Sequence, residues 1–370
     1  MAGLYIHVPF CRSKCGYCDF YSVPGADESL VDRWLAALEN EASFYRGFRA
    51  DTLFIGGGTP SSLSPSQLSR LLELARSLAA GGSFAEATIE INPGSLDADK
   101  AAAMAAGGLN RASLGMQSDS PRVLETLRRE PGDFRAAFRA LREAGFANIS
   151  LDLMTGVPSQ TEDEVRSALD SALALEPEHI SVYPLEVHGG TDGTGTPCGM
   201  VSPANAAGLS EDPDGAEAAW RLISAELEKA GYARYEVSNF ARPGRECRHN
   251  LNYWRAGDYL GLGPAAASHF SGLRYATAHS LGEYCAALED GRQPPRFSLE
   301  DLSPRQRAGE RIMLGLRLAE GIEAADPIFI EFRQELEELL AAGSLKLRDG
   351  RARVPEKGLY VANSVLSRFV

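Results

Sequence analysis

The chain has 370 residues, 44% of them hydrophobic, and a net charge of −13 from 37 Lys and Arg against 50 Asp and Glu. That apolar share supplies a buried core at a length that asks for more than one domain, while the acidic balance excludes a general nucleic-acid binder, whose affinity comes from clustered cations on phosphates. No apolar run reaches the roughly 18 residues that cross a bilayer, and MAGLYIHVPF has no basic flank before a long apolar stretch, so no transmembrane segment or secretory signal is expected and the chain reads as cytoplasmic.

Over residues 1–185, β-rich runs alternate with amphipathic helical patterns. LYIHV (4–8), TLFI (52–55), ATIEI (87–91), RASLG (111–115), ISLDLM (149–154) and HISVYPL (179–185) are predicted strands. SLVDRWLAALENEASF is a helix between two of them, with Leu30, Trp34, Leu38 and Ala42 on one face. Such alternation implies parallel strands joined by right-handed crossovers. Six units predict an α/β fold, an open, partial (β/α)6 barrel with its chemistry at the C-terminal strand ends.

Residues 188–215, rich in Gly, Pro, Thr and Ser, read as a linker. A helix is predicted over 214–230, followed by the polar and aromatic stretch YEVSNFARPGRECRHNLNYWRAGDYLGLG. Near the end, the helix FIEFRQELEELLAAG stops at Gly343, the strands LKLR and ARVP meet around Asp349-Gly350, and the helix KGLYVANSVLSRF closes a small winged-helix-like α+β module. It lacks the basic stripe that DNA binding needs.

Three of the six cysteines, Cys11, Cys15 and Cys18, fall in PFCRSKCGYCDF just past the first strand. In a reducing compartment such spacing indicates a metal or catalysis rather than disulfides. Thiolates suit zinc or an iron–sulfur cluster. Structural zinc takes four ligands, and no second CxxC pair exists, so zinc would need a ligand such as His7. Three ligands on a four-iron cluster leave one iron open to a substrate. The run Gly56, Gly57, Gly58, Thr59, Pro60 follows the TLFI strand; its glycines let backbone amides and carbonyls approach a ligand, or it is only a tight turn. It is not a P-loop, because no Gly-Lys-Ser/Thr follows.

CxxxCxxC in this position resembles the radical S-adenosylmethionine (SAM) superfamily. The resemblance implies a [4Fe-4S] cluster on Cys11, Cys15 and Cys18, its open iron chelated by the amino and carboxylate groups of SAM. GGGTP is similar to the family motif for the SAM amino group, which assigns Gly57, Gly58 and Thr59 to SAM. Glu90 in IEINP, Gln117 in SLGMQS, Arg129 in LRRE and Asp152 in LDLMTGVP match SAM-contacting positions, and Tyr5 matches a tyrosine near cluster and SAM. Taken singly, each of these is equally a capping, loop or core residue.

YIHVPFC, GGGTP, IEINPGS, YEVSNFARPG, RHNLNYW and ERIMLGLR further resemble the HemN-type group of coproporphyrinogen III dehydrogenases, HemW-type haem chaperones and porphyrin-handling methylases or ring-openers. The resemblance implies a radical SAM barrel over 1–200, a HemN-type connecting region over 201–295 and the winged-helix-like domain over 296–370. Dehydrogenases carry a fourth cysteine two places after the third. Here that residue is Phe20, the HemW-type pattern, and the short lead into the first strand is expected to lack the extension that helps form the dehydrogenase site. The HNxxYW motif, His249, Asn250, Tyr253 and Trp254, implies haem binding: an imidazole can ligate haem iron while aromatics pack on the porphyrin. The alternative is a structural His-Asn pair beside a buried Trp. Cys247 reads as a small buried side chain. Three positions depart from the pattern: Pro131 for a histidine, Thr155 for a tyrosine, and Ala267 for the histidine of a GAH, with His269 close by. The expected function is a haem chaperone that passes haem to an acceptor, as implied a membrane-bound respiratory enzyme, with a homodimer left open. The rival is a radical SAM enzyme acting on a tetrapyrrole.

Overall fold

The computed structural model describes residues 1–186, 190–191, 197–198, 209–210, 212–356, 359 and 362–369. All six expected strands form: β1 (Gly3–Val8), β2 (Thr52–Gly57), β3 (Glu86–Ile91), β4 (Arg111–Gln117), β5 (Ile149–Thr155) and β6 (His179–Pro184). Each pairs in parallel with the next. Six further strands extend this sheet: β7 (Ala233–Arg234), β8 (Asn239–Ala241), β9 (Tyr259–Leu262), β10 (Ala267–Phe270), β11 (Leu273–Thr277) and β12 (Arg296–Glu300). The order is β7-β8-β6-β5-β4-β3-β2-β1-β9-β10-β11-β12. The terminal strands β7 and β12 do not pair with each other, so the sheet stays open.

The parallel core has one strand more than the six units expected, because β9 runs parallel to β1 with Gly3 opposite Tyr259. The four residues YLGL are too short for alternation to reveal, and their partner lies at the far end of the sequence. Crossover helices cover the outer face. The first, Glu28–Ser43, is N-capped by Asp27 and buries Val31, Trp34, Leu35, Leu38 and Ala42 at helical spacing. Trp34 is fully buried, edge-on to Phe10 at 5.4 Å, which fixes the helix against the base of the cysteine loop.

A second apolar core gathers Trp220, Ile312, Leu316, Phe329, Phe332, Leu336, Leu366 and Phe369. The helix Pro213–Lys229 reaches both cores, placing Ile223 and Leu227 in the first and Trp220 in the second. In the C-terminal region the hairpin Lys346–Arg348/Arg351–Arg353 turns at Asp349 and Gly350, both at positive φ as a two-residue turn requires. Gly343, at φ 72°, follows the helix Arg333–Ala341, whose expected first turn is instead a 3-10 segment, Pro327–Phe332. The final helix covers Ala362–Leu366; residues 357, 358, 360 and 361 of that expected helix, and most of the linker over 188–215, lie outside the described residues.

Candidate functional site

The loop after β1 is closed at its base by Phe10–Cys11 pairing in parallel with Val23–Pro24 and by the Gly25 amide on the Cys11 carbonyl at 3.1 Å. Cys11, Cys15 and Cys18 are free thiols on this loop, and all three line one cavity of about 850 Å³. Burial pushes the Cys18 thiol up to about 11 and raises Cys11 as well. Such thiols stay protonated at neutral pH until a cation displaces the proton. Among the described residues no three His, Cys, Asp or Glu side chains converge on one ion. His7, the fourth ligand that zinc would need, is engaged: its Nε2 donates to the Tyr21 carbonyl at 2.8 Å, leaving Nδ1 to accept from the Tyr5 hydroxyl at 3.0 Å.

The glycine run is stitched to this loop. The Gly57 amide donates to Glu90 Oε2 (3.1 Å), the Gly58 amide to the Val8 carbonyl (2.8 Å) and the Thr59 amide to the Phe10 carbonyl (2.7 Å). Thr59 Oγ1 donates to Cys11 Sγ at 3.4 Å. Gly57 sits at φ 107°, and a Cβ on Gly58 would lie 2.7 Å from the Phe10 carbonyl oxygen, so both positions demand glycine. The sequence pointed to amides and carbonyls together. With these three amides occupied internally, the segment has its carbonyl side to offer, which suits an ammonium donor.

Polar side chains at the strand ends meet in the same cavity. Glu90 is pushed up to about 7 by burial, with Asp152 adding to the rise. The Asp152 carboxylate accepts from the Ser113 hydroxyl (3.1 and 3.0 Å) and from Ser150 (3.2 Å), while burial raises its pKa against them. Gln117, at φ 64° on a register shift in β4, carries a buried Oε1 with no partner, an orphan that a bound donor would satisfy. Arg129 donates to the Tyr17 hydroxyl (3.0 Å) and the Gly115 carbonyl (2.6 Å), with Cys15 Sγ at 4.0 Å. These features fit a zwitterionic nucleoside beside an iron–sulfur cluster: a carbonyl cradle, two carboxylates, an amide and a guanidinium. Tyr5 stands one layer back, stacked on Phe54 at 6.4 Å, and is not among the cavity walls. Thr155 is buried with an unpartnered hydroxyl, whereas Pro131 and Ala267 are exposed.

The four residues expected at haem separate. They lie on the short helix Arg248–Trp254, whose N-terminus is held by the Glu86 carboxylate through the amides of Arg248 (3.0 Å) and His249 (2.9 Å). His249 is 0% exposed; Nδ1 lies 2.9 Å from Thr52 Oγ1 and Nε2 2.8 Å from the Tyr253 hydroxyl. Burial, then Arg111, lowers it to about 3, so the ring stays neutral. Thr52, Glu86 and Gly3, which all touch His249, begin β2, β3 and β1. The expected haem ligand thus plugs the barrel floor, opposite the cysteines, with no free nitrogen. Tyr253 belongs to the same plug, edge-on to Tyr259 at 4.5 Å. Asn250 lines the cavity, and Trp254 lies under Arg317, whose Cζ is 5.4 Å from the ring centre.

Sequence reading missed several cavity walls: Arg111, Ser113, His179 and Ser181 inside the barrel, and Arg317 and Asn363 from the C-terminal region. The first four carried a signal, since they are polar residues within runs otherwise apolar enough to be strands. Arg317 and Asn363 carried none.

The radical SAM superfamily profile matches residues 5–172, and the HemN C-terminal domain profile matches residues 302–361. The heme chaperone HemW of Mycobacterium tuberculosis H37Rv is 36% identical over 373 residues, covering 98% of this chain and 93% of that protein. HemW of Escherichia coli K12 is 33% identical, covering 99% and 97%, and HemW of Bacillus subtilis 168 is 32% identical, covering 100% and 99%. Among solved structures, coproporphyrinogen III oxidase (HemN) from Escherichia coli, described as a radical SAM enzyme, superposes with a TM-score of 0.82 at 25% identity, covering 100% of this chain and 89% of that one. On this near full-length likeness the chain belongs to the HemW-type family of the radical SAM superfamily.

Proposed function

We propose that this protein binds haem and passes it to an acceptor protein, on a scaffold where Cys11, Cys15 and Cys18 hold a [4Fe-4S] cluster and the adjacent end of the cavity takes SAM. The observation that carries this reading is the full-length likeness to heme chaperones, joined to Phe20 at the place of the dehydrogenases' fourth cysteine. Phe20 is 54% exposed at the cavity rim and offers no ligand atom. When bound, the cluster supplies one-electron reduction and SAM a reducible sulfonium. The chain's own residues orient and enclose: the Gly57–Gly58 segment and Glu90 receive an ammonium, Asp152 and Gln117 receive hydroxyl or amine donors, and Arg129 with Tyr17 closes the side facing Cys15. Tyr5 supports Phe54 from behind. The three domains proposed are 1–200, 201–295 and 296–370.

No helix among the described residues is long and apolar enough to cross a membrane. We place the protein in the cytoplasm, with a membrane-bound respiratory enzyme as the acceptor and a homodimer as the assembly for light scattering to test. The deciding experiment reconstitutes the cluster without oxygen, titrates haem, and separately assays coproporphyrinogen loss with reductant and SAM. Stoichiometric haem uptake without turnover supports the chaperone. SAM-dependent vinyl formation sinks it and favours the second reading, a tetrapyrrole-modifying enzyme, for which the likeness to the HemN oxidase speaks.

A further inference from the structure

We propose that the floor end of the cavity is a carboxylate site for a propionate-bearing tetrapyrrole, with Arg317 as its anchor, Asn363 and Asn250 beside it on the wall and Trp254 beneath its guanidinium. This inference rests on the haem reading above and adds the place and the group recognised.

The cavity runs the height of the barrel, from the cysteine loop and Gln117 at the strand ends to Arg111 and His179 at the strand starts. Its walls also include Arg317, Asn363, Leu359, Ala362, Trp220 and Asn250; Asn250 shares the helix of His249 at the strand starts, and Arg317 lies over Trp254 of that helix. Among the described residues, Arg317 is one of the arginines that meet no carboxylate, as are Arg49, Arg76 and Arg135, but unlike them it lines the cavity. The chain carries 50 acidic residues, and the half-exposed Arg33, Arg70 and Arg122 each meet a carboxylate within 2.8 Å. Among the described residues Arg317 meets none: its Nη2 donates to the neutral Asn363 Oδ1 at 3.0 Å, and its flat face lies over Trp254. The Trp254 indole N–H is buried without a partner. Arg317 is only partly buried, and its single bond to Asn363 leaves guanidinium donors for a ligand carboxylate.

The other guanidiniums in the walls differ in how they are held. Arg129 is held by Tyr17 and the Gly115 carbonyl, while Arg111, 2% exposed, lies in the field of Glu86 and Asp152 with its Nε unpartnered and adds a second positive charge at the floor end. The cluster end presents the carboxylates of Glu90 and Asp152, so an anion is disfavoured there and favoured at Arg317. A planar guanidinium takes a carboxylate through two parallel hydrogen bonds. Trp220, Leu359 and Ala362 give apolar wall to a macrocycle. Haem has this division: a flat apolar disc with two carboxylates on one edge.

The test uses the full chain with its cluster reconstituted anaerobically. Haem, and haem dimethyl ester in which both carboxylates are blocked, are titrated into wild type, Arg317→Leu, Arg317→Lys and the surface control Arg255→Leu. Arg317→Leu is expected to weaken haem binding roughly 10- to 100-fold, as loss of a charge-assisted pair does, with partial rescue in Arg317→Lys and wild-type affinity in Arg255→Leu. The ester is expected to bind wild type and Arg317→Leu equally weakly. Unchanged haem affinity in Arg317→Leu, or an equal loss for haem and ester, overturns the inference while leaving the haem reading intact. Absence of haem uptake by wild type overturns the underlying reading and this inference with it. Should Arg317→Leu lose iron or fail to fold, the comparison of haem with its ester on wild type decides: equal affinities refute the carboxylate anchor.

Discussion

Replacing His249 with alanine separates a floor post from a haem ligand. The ring is wholly buried between Phe54, 5.4 Å away, and Tyr253, edge-on at 4.8 Å. Removing a buried ring of this kind costs about 3 kcal/mol for the void alone, at the low end for aromatic truncations. The hydroxyls of Thr52 and Tyr253 then lose their partner, adding about 1 kcal/mol each. A total near 5 kcal/mol, against an unfolding entropy of about 0.8 kcal/mol/K for a chain of this length, corresponds to a fall in Tm of roughly 6 °C. The assay is thermal unfolding by circular dichroism, together with the haem spectrum of the variant recorded well below its midpoint. The expected result is a drop in Tm of this size with the Soret maximum and stoichiometry of wild type. An unchanged Tm with a lost or displaced Soret band would refute the reasoning, because it would mean that the imidazole carries iron and supports nothing.

Gly58→Ala places a methyl 2.7 Å from the Phe10 carbonyl oxygen and 2.9 Å from that of Val8, so loop and glycine run must part. A loss of about 2–3 kcal/mol and reduced iron per chain after reconstitution are expected, and full iron content at wild-type stability would contradict the geometry. Cys11→Ala should abolish the brown absorbance of the reconstituted protein, checked by iron and acid-labile sulfide, and unchanged values would reject the ligand. Glu41, buried and accepting from the Gly263 amide (2.8 Å) and the Tyr284 hydroxyl (2.7 Å), is raised to about 7 by burial. Its folded pKa lies above the unfolded value near 4.5, so its contribution is whole below about pH 4.5 and is lost as pH rises through 7, by up to about 3 kcal/mol. Glu41→Gln should therefore gain on wild type between pH 5 and pH 8 in urea midpoints; an equal difference at both pH values disproves the assignment.

The sequence displayed the strands because parallel strands are apolar on both faces and bounded by turn residues, which a local reading detects. It hid β9 because pairing with β1 is a property of the whole sheet. The HNLNYW motif shows the limit more sharply. Residues four apart share a helix face, so His249 and Tyr253 go to the floor while Asn250 and Trp254 turn toward the cavity and Arg317. The motif lies on one short helix, but identity alone did not say which of its faces turns to the cavity. The glycine run behaved similarly: that only glycine fits was legible, but not that the amides are taken up by Val8, Phe10 and Glu90. Arg317 was invisible because its meaning lies in the carboxylate it lacks, and that absence exists only in three dimensions.

Chaperone and enzyme would share most of this site, because the proposed roles of the cysteines, the glycine run and the two carboxylates toward cluster and SAM are the same in either case. The distinction has to come from where a tetrapyrrole's reactive edge can stand. Oxidative decarboxylation turns a propionate into a vinyl group, so an enzyme must present a carboxylate at the SAM end. Coproporphyrinogen, with propionates around its whole rim, can place one there while another is gripped elsewhere. Haem cannot, since both its propionates leave from one edge; held at Arg317 they point to the floor, and the edge facing Glu90 and Asp152 carries no carboxylate to lose. On that geometry the same scaffold would hold haem without transforming it, and Phe20 at the rim, where the dehydrogenases are expected to carry a fourth cysteine, fits a ligand that is carried rather than consumed.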